Sequence, residues 1–487
     1  MVIMYTTTHK INEFVLTIFY FFIAEEREKC QKNYKRLSKL ALGLLCDLCT
    51  KTIEFVKNIL TSESFINTHR KSPADFTRKR SLPFYTTVVF LMNQLRSSLQ
   101  NELDIFFKQL NKTDVPERKV TASALCQARQ KLKHQAFIEL NHSVSQHFYQ
   151  HYSYKTWHGF HLLAFDGSTV RVPRSDDCWE YFGKSVPLSW DTSPLARISQ
   201  CFDVLNHITL DARIESLSVG ERELALAHCD SIGTGDLVLL DRGYPAFWLV
   251  SLILKKHAHI CARVSANKMA VAKQFLVSGL REQLIELSPS IYSQEPCSEQ
   301  KFPACLCVTA RRQATPIKLR LIRIDLPDAQ EPEILSTSLL DSTLYPYDLF
   351  QDLYHARWPI EEDYKLLKCR IEVENFTGKS VESVKQDFFA RVFMSNFTSI
   401  VAFSVHDTIR QNHQKTKLEY KINWTQALAK MRNCGILLFF RKNIRILIDK
   451  IHTLFMQNVS AVRNGRKFPR NFKAPTKKYA FSYKPIS

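Results

Sequence analysis

The strongest constraint on this chain's fold is a pair of short apolar runs that each lead into an aspartate. His161–Phe165 (HLLAF) precedes Asp166 of D-G-S-T, and Leu237–Leu240 (LVLL) precedes Asp241 of D-R-G-Y. Such compact apolar runs read as strands buried on both faces, the habit of parallel strands in an α/β sheet. A helical pattern, Glu221–Cys229, stands between them; a second, Phe247–His257, comes before the strand pattern Ala258–Val264. Arg197–Leu205 and His207–Glu215 read as a strand pair joined at Asn206. Alternating strands and helices predict an α/β core. An Asp at the carboxyl end of such a strand points into the crevice where open α/β sheets bind ligands. A Gly close behind each Asp is expected to let the chain turn there. Either Asp-Gly signal alone is weak, because the pair is an ordinary turn.

Around this core the texture is helical. Leucines and isoleucines from Leu37 to Ile59 recur at helical spacing, and a polar stretch, Thr61–Ser81, ends in Arg78-Lys79-Arg80. Leu82–Leu110 reads as one long helix, broken by Asp114-Val115-Pro116. Ser123–Leu132 reads as a short helix opened by a Ser cap and carrying Gln127, Arg129, Gln130 and Lys131, with Lys133 just beyond. That face is either solvated or suited to a DNA major groove. Residues 265–340 are β-rich, with LRLIRI at Leu319–Ile324, and helical periodicity returns after Tyr345-Pro346.

The formal charge of +20 over 487 residues points to a polyanionic partner, nucleic acid first and an anionic membrane surface second. The tail from Arg463 is basic and interleaved with aromatics, as a solvated tail or a grip on DNA backbone would be. The apolar Phe14–Ala24 is shorter than the about 20 residues a membrane span needs. Thirteen cysteines show no disulfide or zinc framework, Cys46 and Cys49 forming the one C-x-x-C, and read as thiols in a reducing cytosol.

The most specific stretch is Tyr354-His-Ala-Arg357-Trp-Pro-Ile-Glu361-Glu-Asp-Tyr-Lys-Leu-Leu-Lys368. On a continuous helix Tyr354, Arg357, Glu361 and Lys368 share a wedge of roughly 60°. Pro359 removes a helix hydrogen bond, so a kink or a fresh helix start is expected there. Glu362 is the alternative carboxylate if the register differs. Three carboxylates suit two Mg²⁺ ions, which serve in-line phosphodiester displacement from about 4 Å apart.

The spacing Tyr-x2-Arg-x3-Glu-x6-Lys resembles the Y-R-E-K signature of cut-and-paste insertion-sequence transposases of the DDE type, with Asp166 and Asp241 matching the first two acidic motifs. Val373–Lys379, Asp387–Arg391, Ser98–Leu103 and Ala124–Leu132 are also similar to stretches of that family. The resemblance covers about Arg78 to Lys478. It implies a ribonuclease-H-like core with a β-rich insertion, preceded by a helical DNA-binding region and followed by a helical, basic C-terminal region. The divisions expected are 1–75, a helical extension without an assigned role; 76–155, DNA-binding; 156–262 and 344–405, the two parts of the core; 263–343, the insertion; and 406–487, the C-terminal region.

The same resemblance implies that Asp166, Asp241 and Glu361 are catalytic and bind two Mg²⁺ (or Mn²⁺) ions. Tyr354, Arg357 and Lys368 would hold phosphates and Trp358 would assist a flipped base. The partners would be the element's ends and target DNA, bound by a homodimer in a bacterial cytoplasm at the nucleoid. No Trp lies between Trp248 and Trp358, where some family members carry a base-stacking one. A catalytically silent DNA-binding derivative and a simple metal-dependent nuclease are the alternative readings.

Overall fold

The computed structural model describes residues 27–93, 95–183, 193–267, 269–288, 315–325 and 331–463, without the side chains of 27–42 and 44. The expectations for Phe14–Ala24 and for the tail beyond Arg463 lie outside the described residues. The chain forms two compact units. The first takes Tyr154–Thr169 and Ala196–Tyr364; the second takes the described parts of His9–Ser153, Val170–Leu195 and Lys365–Ser487.

A mixed α/β architecture is built on eight strands: β1 His161–Arg171, β2 Leu195–Asp203, β3 Ile208–Ser216, β4 Asp236–Leu240, β5 His259–Val264, β6 Glu282–Leu287, β7 Ile317–Ile324 and β8 Glu333–Thr337. They lie in one sheet in the order β3-β2-β1-β4-β5-β8-β7-β6. β1, β4 and β5 run parallel, with Phe165 opposite Leu240 and Leu240 opposite Ala262. All five residues of β4 are buried, as an apolar run at the centre of a two-sided sheet requires. β2 and β3 are antiparallel, joined around Asn206, with a register shift between Cys201 and Phe202. β8 pairs antiparallel with β5, and β7 and β6 continue outward from it, so the β-rich stretch extends the same sheet. Helix Phe247–Lys255 buries Phe247, Leu249, Val250 and Ile253 in a core shared with Leu163, Phe165, Val238 and Leu240.

The aspartates sit where the buried strands open. Burial along β1 is continuous from Leu162 to Phe165 and relaxes at Asp166. β1 does not end there, however: it runs on to Arg171, and Gly167 lacks a positive φ. A Cβ on Gly167 would lie 3.3 Å from Glu221 Cγ and 3.4 Å from the Tyr244 hydroxyl, so this Gly answers a close approach, not a turn. β4 does stop at Leu240, and the Tyr244 N–H closes a turn onto the Asp241 carbonyl at 3.0 Å.

The second unit is largely helical. The expected long helix Leu82–Leu110 is two, Phe84–Leu91 and Leu99–Asn111. Ser98 caps the second, and Glu102 accepts the N–H groups of Arg96 and Ser97, which satisfies the break. The short helix is Ala122–Arg129, capped by Thr121 and not by Ser123. Its Arg129 does not face solvent. It is 4% exposed and donates to Asp387 Oδ1 at 2.8 Å, Thr377 Oγ1 at 2.7 Å, Gln386 Oε1 at 3.0 Å and the Ser383 carbonyl at 2.9 Å. The Asp–Arg pair therefore bolts this helix to Val381–Phe403, itself buried over most of its length. Among the described residues no single helix is long and apolar enough to cross a membrane; Val381–Phe403 with His406–Asn412 passes that test only as a bent pair.

Burial pushes the Asp387 carboxyl upward, but Arg129, Arg391 and the Thr377 N–H outweigh it and hold the group below its ordinary value. A depressed carboxylate stabilises the fold above its unfolded pKa and loses that contribution as pH falls through the folded value. Asp387→Ala, which strands Arg129, should cost about 3–5 kcal/mol in urea unfolding at pH 7. The difference from wild type should shrink as the pH is lowered below about 4.

Candidate functional site

The structure gathers most of the residues singled out from the sequence around one guanidinium. Asp166 and the strand-end Asp241 come from neighbouring parallel strands, Tyr354 and Glu361 from two helices, Leu349–His355 and Trp358–Lys365, and Arg357 from the turn between those helices. The fresh helix start expected at Pro359 is present, one residue earlier. The Ala356 and Arg357 N–H groups close turns onto Asp352, Leu353 and Tyr354, and Trp358 starts a new helix. Pro359 sits in its first turn, where a missing N–H costs nothing. The single 60° wedge does not survive this break. Lys368 lies in the second unit on a π-helical turn, Leu366–Arg370.

Arg357 Nη2 donates to Glu361 Oε1 at 2.6 Å, and Nη1 lies 3.7 Å from Asp166 Oδ2. The Tyr354 hydroxyl donates to Asp241 Oδ1 at 3.2 Å. The guanidinium is buried, its Nε has no hydrogen-bond partner, and it lies 5.9 Å from the centre of the Tyr354 ring. Burial lowers the Arg357 pKa, yet Tyr354, Asp241, Asp166 and Glu361 together raise it above its ordinary value. Burial lifts the Asp166 carboxyl to about 6; Glu361 and Asp241 add to the rise, while the Gly167 N–H, at 2.9 Å from Oδ1, and Arg357 oppose it. Glu362 is exposed and Glu361 is the carboxylate turned to Arg357. Trp358 is 58% exposed, so it is no core aromatic, and His355 packs against it at 5.0 Å between ring centres.

Several neighbours carried no legible sequence signal. Tyr244, from the D-R-G-Y stretch, is buried with its hydroxyl unpartnered among Asp166, Glu221 and Asp241. Glu221 closes on Gly167 from helix Glu221–His228. Asp363 is buried beside Gln200, and burial raises its carboxyl to about 7. The donor types suit a hard divalent cation: Asp166 and Glu361 flank Arg357, and Asp241 accepts from the neighbouring Tyr354. The buried Tyr244 hydroxyl near Asp166 and Asp241 has no hydrogen-bond partner. As the side chains stand, the arginine supplies the positive charge there, and among the described residues no three His, Cys, Asp or Glu side chains share metal-binding reach.

Because the folded carboxyl of Asp166 titrates above its unfolded value of 3.8, its ionisation opposes folding between that pH and about 6. Asp166→Asn should therefore stabilise the protein at pH 8 in EDTA by on the order of 1–3 kcal/mol. The gain should vanish at pH 3.5. Urea unfolding at the two pH values measures it.

Residues 157–397 match the family model of the transposase DDE domain. A curated relative, the transposase InsG for insertion sequence element IS4 of Escherichia coli (strain K12), is 24% identical over 323 residues, 66% of this chain and 67% of the relative. A similar solved structure is a piggyBac transposase synaptic complex with hairpin DNA, at 10% identity over 83% of this chain and 85% of that one; its TM-score of 0.41 is below what assigns a fold. Asp166, Asp241 and Glu361 all lie inside the stretch that matches the transposase DDE domain.

Proposed function

We propose that this chain is a Y-R-E-K-type DDE transposase that cuts DNA at the ends of an insertion sequence and joins the freed 3′-hydroxyl to target DNA. The observation that carries the proposal is the convergence of Asp166, Asp241 and Glu361 on Arg357 and Tyr354 from strand ends and a helix far apart in sequence. The strand order β3-β2-β1-β4-β5, with two aspartates on its central parallel pair, supports a ribonuclease-H-like core that β8-β7-β6 extends as the insertion.

Asp166, Asp241 and Glu361 would hold two Mg²⁺ or Mn²⁺ ions. Bound there, such ions would activate the attacking oxygen and stabilise the leaving one. The protein's own groups do the rest. The rigid parallel strands fix the two aspartates. Arg357, already aimed at two carboxylates, offers a fork suited to a phosphate once a cation takes its place in neutralising them. Tyr354 keeps Asp241 oriented through its hydroxyl. Lys368 would add a further phosphate contact, and exposed Trp358 a face on which a displaced base can stack. The net charge of +20 suits element ends and target DNA, with a homodimer pairing the two ends in a bacterial cell.

The test is cleavage and strand transfer on duplexes carrying the element's own termini, with Mg²⁺ or Mn²⁺. Asp166→Ala, Asp241→Ala and Glu361→Ala should each reduce cleavage by roughly a thousandfold or more, and pairs should lose little beyond singles because the residues act as a unit. Asp241→Ala cutting as fast as wild type would overturn the assignment. Cleavage without joined products would reduce the protein to a nuclease.

A further inference from the structure

Behind Asp166 lies a buried polar chain that the proposed chemistry does not use. Asp211 on β3, His228 at the end of helix Glu221–His228 and Ser199 on β2 are all essentially inaccessible. His228 Nδ1 lies 2.7 Å from Asp211 Oδ2, and its Nε2 lies 2.8 Å from Ser199 Oγ. The Ser199 hydroxyl donates at 3.1 Å to the backbone carbonyl of Asp166. The Tyr364 hydroxyl donates to that same carbonyl at 2.7 Å. One carbonyl with two lone pairs thus takes two hydroxyl protons, one from β2 and one from the helix that carries Glu361.

Ser199 stands between the two, its Oγ within hydrogen-bond reach of both the Asp166 carbonyl and His228 Nε2. Asp211 also accepts from Arg213 Nε at 2.8 Å, which marks it as the carboxylate acceptor for Nδ1. The ring is held from both ends, by Asp211 at Nδ1 and by Ser199 at Nε2. Nothing here resembles a nucleophile: Ser199 is shut away from solvent and spends its proton on a backbone oxygen.

The location makes this more than core satisfaction. Pairing between β1 and β4 ends at Phe165 and Leu240, so Asp166 is the first β1 residue without a partner on that strand. Its carboxylate and that of Glu361 both face the Arg357 guanidinium. Anchoring the carbonyl fixes the backbone from which the carboxylate projects. Tyr364 ties that anchor to the helix bearing Glu361.

We infer that Asp211, His228, Ser199 and Tyr364 are positioning residues that lock Asp166 against Glu361, so that the pair is preformed for a divalent cation. The inference rests on the metal-binding reading of Asp166. Outer partners of metal ligands commonly change metal affinity by about 10- to 100-fold. The test is calorimetric titration of the full chain with Mn²⁺ alone, alongside thermal melts in EDTA. The proteins compared are wild type, Asp166→Ala, Ser199→Ala, Ser199→Thr, Tyr364→Phe and the Ser199→Ala/Tyr364→Phe pair.

Ser199→Ala and Tyr364→Phe should each weaken Mn²⁺ binding about tenfold, and the pair more. Ser199→Thr, which keeps the hydroxyl, should bind like wild type. Tyr364→Phe keeps the packing and so reports if Ser199→Ala fails to fold. If Asp166→Ala loses Mn²⁺ while the pair, still folded, binds it as wild type does, the positioning role is wrong and the metal reading stands. Equal Mn²⁺ binding by Asp166→Ala and wild type overturns the metal reading and this inference with it.

Discussion

The site depends on one buried cation. Three carboxylates brought together from β1, β4 and a helix would repel one another, and burial removes the water that ordinarily screens them. Arg357 relieves this by facing Asp166 and Glu361 at once, while Tyr354 neutralises part of Asp241 by hydrogen bonding. Burial first, and then Glu361 and Asp241, still raise the Asp166 carboxyl, and the Tyr244 hydroxyl and Arg357 Nε are buried without a hydrogen-bond partner.

Strand pairing places two of these groups. Asp166 and Asp241 stand beside each other because β1 and β4 are adjacent and parallel, with their apolar residues buried on both faces. Asp166 is held further by backbone anchors from Ser199 and Tyr364. In the second unit the same principle operates at Arg129 and Asp387, where a fully satisfied ion pair fastens a short helix to the long buried one. That buried use removes Arg129 from the exposed face of helix Ala122–Arg129.

Much of the core was legible. The runs HLLAF and LVLL are strands, the helix between them is Glu221–His228, and LRLIRI lies within β7. These succeed because a buried strand in an α/β sheet needs a continuous apolar run, and the run is local. Reading failed where the deciding partner was distant. Gly167 looked like a turn because Asp-Gly usually is one; Glu221 and Tyr244, far along the chain, show that it provides clearance. Leu82–Leu110 looked continuous because its periodicity is, yet Glu102 folds back to satisfy the broken backbone.

What the sequence by itself determined is which groups this protein has to work with. It holds two aspartates at the opening of buried strands and a Tyr, Arg and Glu at close spacing, and that spacing resembles the signature of one transposase family. Local periodicity and spacing carry such information because each depends on a few neighbouring residues. Only the tertiary structure decided that Arg357 lies between Asp166 and Glu361, and that Ser199, His228 and Asp211 line up behind Asp166. Those facts arise from pairing and burial between segments tens to hundreds of residues apart, and no local pattern encodes them.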